Sequence, residues 1–236
     1  FSIQPLLLGG NPFSTTAIYG MINHLEREHG VWFAMGGTGA LVDAFERLMN
    51  EEGIKISLNT TIVQIKVDNG CASGVVLETG EHIKADVVVS NMDPVHVYRN
   101  MLPQSEISMV AKLRSRKPRL SMGLYVMYFG AKKTWPNVAH HTIWFGDRYK
   151  SLLRDIFDNQ KLTDDFSLYV HRPTATDLSF APDGCDSFYV LCPVPNLAGG
   201  QDWKVEGPKL RDRIIAALDE TMLPGLTETI TAEFAM

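Results

Sequence analysis

The glycines Gly36, Gly37 and Gly39 stand between the apolar segment 31–35 and a predicted helix. A glycine loop at a helix N-terminus lets backbone N–H groups approach a pyrophosphate. Here Val42 replaces the third glycine of that fingerprint, and no acidic residue ends a second parallel strand about 20 residues later. The alternative is a glycine-rich helix start that lets chain or ligand approach closely. Both interpretations stay open on these residues alone.

Histidines form the second candidate group. His140 and His141 are adjacent on a predicted strand. Successive strand side chains point to opposite faces, so we expect that these imidazoles cannot ligate one metal ion, and we predict no metal site. His141 is the candidate for a ligand cavity, with an ordinary strand histidine as the alternative. His171, at the end of another predicted strand, fits a pocket and a surface equally well.

Composition limits the classes of function. Of the 236 residues, 45% are hydrophobic, 22 are basic and 27 acidic, which gives a net charge of −5. This is a globular composition, and its acidic balance argues against a nucleic-acid partner. The basic stretch 112–119 is either a solvated surface segment or an attraction to anionic membranes. The three widely spaced cysteines are typical of a reducing compartment.

Hydrophobic periodicity predicts the elements that must position these groups. Helical spacing marks 14–29, the residues between the glycine loop and Gly53, 147–158 and 206–222. Period-two or continuous apolar patterns predict strands at 31–35, 54–58, 62–67, 74–78, 83–89, 120–129, 139–145, 166–170 and 188–194. We expect the strand ending in Val87–Val89 to be buried on both faces. Strands and helices mix without βαβ alternation, which favours an α+β fold.

The second half is rich in aromatic residues, enough either to line a pocket for an apolar ligand or to fill an ordinary core. The chain also opens without a methionine and closes on a strand-like segment, 231–236. From these ends we expect a piece of a longer protein.

Several strings resemble the bacterial-type phytoene desaturases of carotenoid synthesis. In the first half they are LLGGNPF at 7–13, GVWF at 30–33 and GGTGALV at 36–42. In the second half they are LYVMYFG at 124–130, AHHT at 139–142, FSLY at 166–169, APDGC at 181–185, YVLCPVP at 189–195 and VEGPKLRDR at 205–213. Together these strings span nearly the whole chain.

The resemblance implies part of a glutathione-reductase-type FAD domain with an inserted mixed-sheet substrate domain. It assigns 1–30 to the substrate domain, 31–100 to the FAD domain and 101–236 to the substrate domain, running back toward the FAD domain. The family's GxGxxG and C-terminal flavin motifs have no match here, so the resemblance implies the middle of the parent protein. The glycine loop then has another role, and the parent would bind FAD while this piece alone would not.

The resemblance also implies site residues. Val63 matches a backbone contact to adenine, and Gly36 and Gly37 match a loop near the flavin. The segment near the flavin and the polyene tunnel is matched by Leu6, Leu7, Gly10 and Asn11. With His141, these four form the predicted substrate contacts. The family's acid and base residues match no position here, so the catalytic residues stay unassigned.

The implied activity is flavin-dependent removal of a hydride and a proton from C–C single bonds of a long isoprenoid hydrocarbon. The implied location is cytoplasmic, peripherally associated with a membrane surface, and we expect the 236 residues alone to be inactive. Two alternatives stay open: a carotenoid isomerase or saturase of the same fold, and a non-enzymatic module that binds a lipid or carotenoid.

Overall fold

The computed structural model describes residues 2–116, 118 and 120–236. These residues form two compact units. The larger unit comprises the residues up to Phe45 together with Ser121–Met236, and the smaller unit comprises Glu46–Leu120. The division of the chain into substrate-domain and FAD-domain segments stays a prediction.

The α-helices and strands follow one another without regular alternation. The helices are α1 (Ile3–Leu7), α2 (Gly20–His29), α3 (Gly37–Glu51), α4 (Pro94–His96, continued by the π-helical turn Val97–Met101), α5 (Met109–Arg116), α6 (Tyr149–Phe157), α7 (Trp203–Thr221) and α8 (Leu226–Thr229). The strands are β1 (Ile62–Asp68), β2 (Cys71–Leu77), β3 (His82–Lys84), β4 (Gly123–Ala131), β5 (His141–Trp144), β6 (Leu168–His171), β7 (Asp186–Val194) and β8 (Ile230–Ala235). Short 3₁₀ helices lie at Ala17–Tyr19, Gln104–Glu106, Pro173–Ala175, Leu178–Phe180 and Leu197–Gly199.

The smaller unit contains a three-stranded antiparallel sheet in the order β1-β2-β3. Its first hairpin turns at Asn69 and Gly70, both with positive φ, and pairs Asp68 with Cys71. Two central residues with positive φ match the twist of antiparallel strands, and Asn-Gly is the preferred pair there. Ile65 and Leu77 are buried in this unit. The predicted meander is confirmed in its first two strands.

The larger unit contains a five-stranded sheet in the order β5-β6-β7-β4-β8, and every pair of neighbours is antiparallel. Burial alternates along the two central strands, so one face is closed and the other is open. The closed face packs with α7 into one hydrophobic core. Members of this core include Met127 on β4, Val190 on β7, and Leu210 and Ile214 on α7. The fold is α+β, as predicted.

The strand predictions for two apolar segments are wrong, and a third predicted strand is shorter than expected. Residues 31–35 and 54–58 form no strand, and β3 ends at Lys84. Val87 and Val89 are 75% and 90% exposed, not buried on both faces. A strand buried on both faces needs a sheet neighbour and covering layers. The described part of the smaller unit supplies no strand beside these residues.

The basic stretch falls partly on α5. Lys112, Arg114 and Arg116 are on this helix, whereas Lys117 and Arg119 lie outside the described residues. Within the described ranges, no helix is both long and apolar enough to cross a membrane.

Candidate functional site

The open face of the five-stranded sheet carries the side chains that alternate with the core. Strand register places Tyr128 on β4 opposite Tyr189 on β7, and Tyr189 opposite His171 on β6. The same register places His171 opposite His141, and Tyr128 opposite Phe234 on β8. Six rings therefore share this surface, which we call the aromatic face: Tyr128, His141, Tyr169, His171, Tyr189 and Phe234.

A cavity of about 830 Å³ lies over the aromatic face. Phe33 before α3, Gly37 at the first position of α3 and Phe180 after β6 contribute to its lining. The three residues meet closely: the rings of Phe33 and Phe180 lie 6.0 Å apart, and a Cβ on Gly37 would stand 2.7 Å from the Phe180 ring. The volume lies within the range of about 300–1,000 Å³ that is typical of ligand sites.

A second, smaller cavity of about 70 Å³ lies beside the first on the same sheet. Leu6 and Leu7 of α1 line it, with Leu124 and Leu191 from the open face. Tyr169 lines both cavities. The two cavities are therefore neighbouring parts of one apolar surface.

The polar side chains of the aromatic face are held uncharged, while the cavity lining also includes the carboxylate of Glu233, which pairs with Arg211. Tyr169 Oη lies 2.6 Å from His141 Nδ1 and 3.4 Å from His171 Nδ1. Burial, aided by the imidazoles of His140 and His141, lowers the pKa of His171 to about 4. Burial also lowers the pKa of His141, and it raises the pKa of Tyr169 together with a hydrogen bond to Tyr189. At neutral pH these groups present no net charge to the cavity.

The prediction that His140 and His141 point to opposite faces is wrong. Their rings stack, with centroids 4.5 Å apart and planes inclined by 25°. Strand β5 begins only at His141, and His140 belongs to the preceding bend, so the alternation of strand side chains does not apply to it. The rings of Phe33 and His140 pack in a T-shaped arrangement with centroids 4.5 Å apart.

The glycine loop serves a contact within the chain. Gly36 has φ +83° and donates its N–H to Asp177 Oδ2 at 2.8 Å. Hydrogen bonds from Ser179 and from the Gly36 backbone hold the pKa of Asp177 below its usual range. A carboxylate therefore occupies the N–H that a pyrophosphate would use, which favours the close-approach interpretation of this loop.

The structure brings some of the predicted site residues together. Gly37 and His141 line the large cavity, and Leu6 and Leu7 line the small one. Gly36 directly precedes Gly37 but does not line the large cavity. Their roles stay predictions.

Gly10 and Asn11 line neither cavity. Gly10 donates its N–H to the Pro5 carbonyl, and Asn11 Oδ1 accepts from the Phe13 N–H at 3.0 Å. These two residues lie between the turn that follows α1 and the turn at 12–14.

Val63 lies in the smaller unit, on the edge strand β1. The pairing of β1 with β2 is irregular between Ile62 and Gln64, and Val63 has no partner in that register. Its side chain is 44% exposed. An edge strand keeps backbone N–H and C=O groups free for another molecule, which is the kind of contact predicted for Val63.

No pattern in the sequence predicts that Phe33, Phe180 and Phe234 line a cavity. Apolar patterns predict strand structure around Phe33 and Phe234, and Phe180 belongs to none of the motifs. The period-two pattern of β4 and β7 separates Tyr128 and Tyr189 from the core residues Phe129 and Phe188, and was the available signal.

Curated proteins with similar sequences support the resemblance. A phytoene desaturase (lycopene-forming) from Pantoea ananas is 46% identical over 227 residues, which cover 96% of this chain and 46% of that protein. A phytoene desaturase (neurosporene-forming) from Rhodobacter capsulatus is 43% identical over 238 residues, covering 98% and 45%. The predicted resemblance to bacterial-type phytoene desaturases is confirmed, and the chain spans about half the length of these relatives.

Solved structures share the fold at low sequence identity. An oxidoreductase from Methanosarcina mazei has a TM-score of 0.68 at 17% identity, over 99% of this chain and 50% of that one. A protein from Pyrococcus furiosus has a TM-score of 0.68 at 16% identity, over 100% and 52%. The family described as flavin containing amine oxidoreductase matches residues 5–213. The chain therefore belongs to the flavin-containing amine oxidoreductase family.

Proposed function

We propose that the protein containing these residues is a flavin-dependent carotenoid desaturase. It removes a hydride and a proton from C–C single bonds of a long isoprenoid hydrocarbon. The observation that carries this proposal is the cavity of about 830 Å³ over the aromatic face. The names of the two phytoene desaturases described above support the same substrate class.

The cavity suits a hydrocarbon because its walls are mostly rings. Tyr128, Tyr189 and Phe234 offer π-surfaces along the sheet, and Phe33 and Phe180 close one side. An apolar chain gains about 25 cal/mol for each Å² that it removes from water. The neutral His141, His171 and Tyr169 can lie beside such a chain without a buried charge. Positioning in a dry channel is the main task left to the protein when a cofactor carries the redox chemistry.

Two features of the chain fit FAD, each within its own unit. In the smaller unit, the irregular edge strand at Val63 leaves backbone groups free for a flat adenine ring. In the larger unit, Gly37 lies in the lining of the large cavity and has no side chain that would keep a flavin away from the backbone there. FAD, when bound, supplies the hydride acceptor. The chain's own residues would hold the hydrocarbon and exclude water.

A membrane surface is the source proposed for this water-insoluble substrate. On α5 the apolar side chains Met109, Val110 and Leu113 are 71%, 58% and 59% exposed. Helical geometry places them within one arc of about 100°, flanked by Lys112 and Arg114. An exposed apolar arc with basic borders is typical of a helix lying in an anionic interface. We place the protein in the cytoplasm, bound peripherally through this helix.

The proposed activity is tested with the full-length protein, FAD and phytoene in lipid vesicles. We expect products with longer conjugation, seen as absorption at longer wavelength, and reduced flavin when oxygen is excluded. A product of unchanged conjugation would contradict desaturation and indicate an isomerase. Shortened conjugation would indicate a saturase, and tight binding of phytoene without conversion would indicate a binding module.

A further inference from the structure

Three imidazoles meet at the edge of the five-stranded sheet. His141 begins β5 and lies opposite His171 in the register with β6, while His140 precedes β5. The ring centroids of the three pairs are 4.5, 4.7 and 5.1 Å apart. One ring nitrogen from each residue lies within 4.8 Å of the other two. Two segments of the chain, the start of β5 with the residue before it and the end of β6, thus converge on one point.

The closest nitrogens already have the spacing of ligands on one metal ion. His141 Nδ1 and His171 Nδ1 are 3.4 Å apart. Zinc binds histidine nitrogen at 2.0–2.1 Å in tetrahedral geometry, which puts two nitrogens about 3.3 Å apart. This pair therefore needs little rearrangement to ligate a metal ion.

His140 has one nitrogen engaged and one free. Its Nδ1 is hydrogen-bonded to the Thr176 hydroxyl, and its Nε2 is buried without a partner among the described residues. Metal-bound histidines commonly bond their second nitrogen to a fixed neighbour, which sets the tautomer and the ring orientation. When Nδ1–H donates to Thr176, the lone pair of His140 is on Nε2, where a metal can bind.

The ligand set determines the kind of ion. Three imidazoles suit late first-row divalent ions such as Zn²⁺, Cu²⁺ and Ni²⁺ rather than Mg²⁺ or Ca²⁺, which prefer oxygen. His141 and His171 also line the large cavity, so a fourth position would face that space. Tyr169 Oη lies 2.6 Å from His141 Nδ1 and lines the same cavity.

We propose that His140, His141 and His171 bind one late first-row divalent metal ion, for which Zn²⁺ is the probe. The bound ion ties the bend before β5 and the edge strand β5 to β6. Thr176 is a positioning residue that holds His140. This site does not depend on the proposed desaturase activity, and its test measures binding alone.

The test uses full-length, untagged protein freed of metal, titrated with Zn²⁺ in a calorimeter. We expect one equivalent of tight binding, weakened on the order of 100-fold or more in His141→Ala and His171→Ala because a ligand is lost. Thr176→Val should weaken binding about 10-fold. His24→Ala, which removes an exposed histidine of α2, is the matched control and should leave the affinity unchanged within about twofold.

X-ray absorption of the zinc-loaded wild type gives a second readout that does not require the variants to fold. We expect three imidazole nitrogens at 2.0–2.1 Å. Affinity in both His→Ala variants equal to that of the wild type would overturn the proposal. Spectra with fewer than two imidazoles would also overturn it, whatever the variants do.

Discussion

At the scale of single residues, Asp186 is the most heavily bonded buried charge in the larger unit. It is 1% exposed and forms a bidentate pair with Arg172, with distances of 2.9 and 3.1 Å. It also accepts from the Thr174 hydroxyl at 2.6 Å and from the Trp135 backbone N–H at 2.8 Å. The remaining Arg172 nitrogen, Nη1, donates to the Val138 carbonyl. This network connects the loop after β4 with the ends of β6 and β7.

Replacing Asp186 by Asn should destabilise the folded protein by about 3 kcal/mol, because it leaves Arg172 buried without a counter-charge. Urea unfolding followed by circular dichroism measures this loss. The matched control is Asp164→Asn, which removes a fully exposed partner of Arg213 and should change stability by less than about 0.5 kcal/mol. Equal losses of unfolding free energy in the two variants would show that the buried network contributes no more stability than the exposed ion pair.

The reactivity of the Cys192 thiol tests whether this side chain is buried in the core. It is 1% exposed, and burial raises the pKa of its thiol to about 12, whereas Cys71 is exposed. We expect a thiol reagent at pH 8 to modify Cys71 within minutes and Cys192 only after unfolding, as peptide mapping would show. Modification of both at the same rate in the native protein would contradict the core described here.

The same shift makes stability depend on pH. The folded state favours the neutral thiol of Cys192, so this stabilisation is complete below the unfolded pKa of about 8.5. It is lost as pH rises from there toward about 12. In Cys192→Ala that loss should be smaller over the same range, measured as the urea midpoint against pH. An identical pH dependence in the two proteins would exclude this contribution.

At the scale of elements, β4 and β7 show what could be predicted. Their strands were predicted from apolar residues, and their alternation decides which rings enter the core. The segments 31–35, 54–58 and 85–89 show the limit of such patterns. A short apolar run can equally be an exposed segment, because pairing depends on a neighbouring strand that local sequence does not reveal. The predicted side-chain direction of His140 is wrong for a related reason. Strand β5 begins one residue later than predicted alternation requires, and local sequence does not fix that boundary.

Helix α5 carries the element-scale prediction. Each basic residue near an anionic surface contributes about 1 kcal/mol, so Lys112→Glu with Arg114→Glu should weaken binding to phosphatidylglycerol vesicles at least 10-fold. Leu113→Asp should weaken binding to neutral vesicles as well, because it removes apolar insertion. Co-sedimentation measures both effects.

Lys66→Glu is the matched control for this experiment, since Lys66 is an exposed lysine of β1 in the same unit. It should leave vesicle binding nearly unchanged. Equal losses from Lys66→Glu and from the α5 double variant would show that net charge rather than α5 governs attachment.

At the scale of the whole molecule, the site could not be predicted because it gathers residues far apart in the chain. Its lining runs from Phe33 to Phe234, and the strand order β5-β6-β7-β4-β8 is what brings β8 beside β4. Fold class followed from the mixture of elements, and the family followed from strings spread over the chain. Neither the mixture of elements nor the motif strings predicts the shape of the cavity, because neither of them determines the order of the strands in the sheet.

We propose that the cavity over the aromatic face holds the hydrocarbon. Ser187 on β7 lines this cavity, and its neighbour Phe188 belongs to the core. Ser187→Trp should fill the cavity, and Ser187→Ala should leave it open. The direct measurement is the rate of phytoene conversion by both full-length variants with FAD in vesicles. We predict a loss on the order of 10- to 100-fold for Ser187→Trp and wild-type turnover for Ser187→Ala. Unchanged turnover in a folded Ser187→Trp variant would contradict the claim.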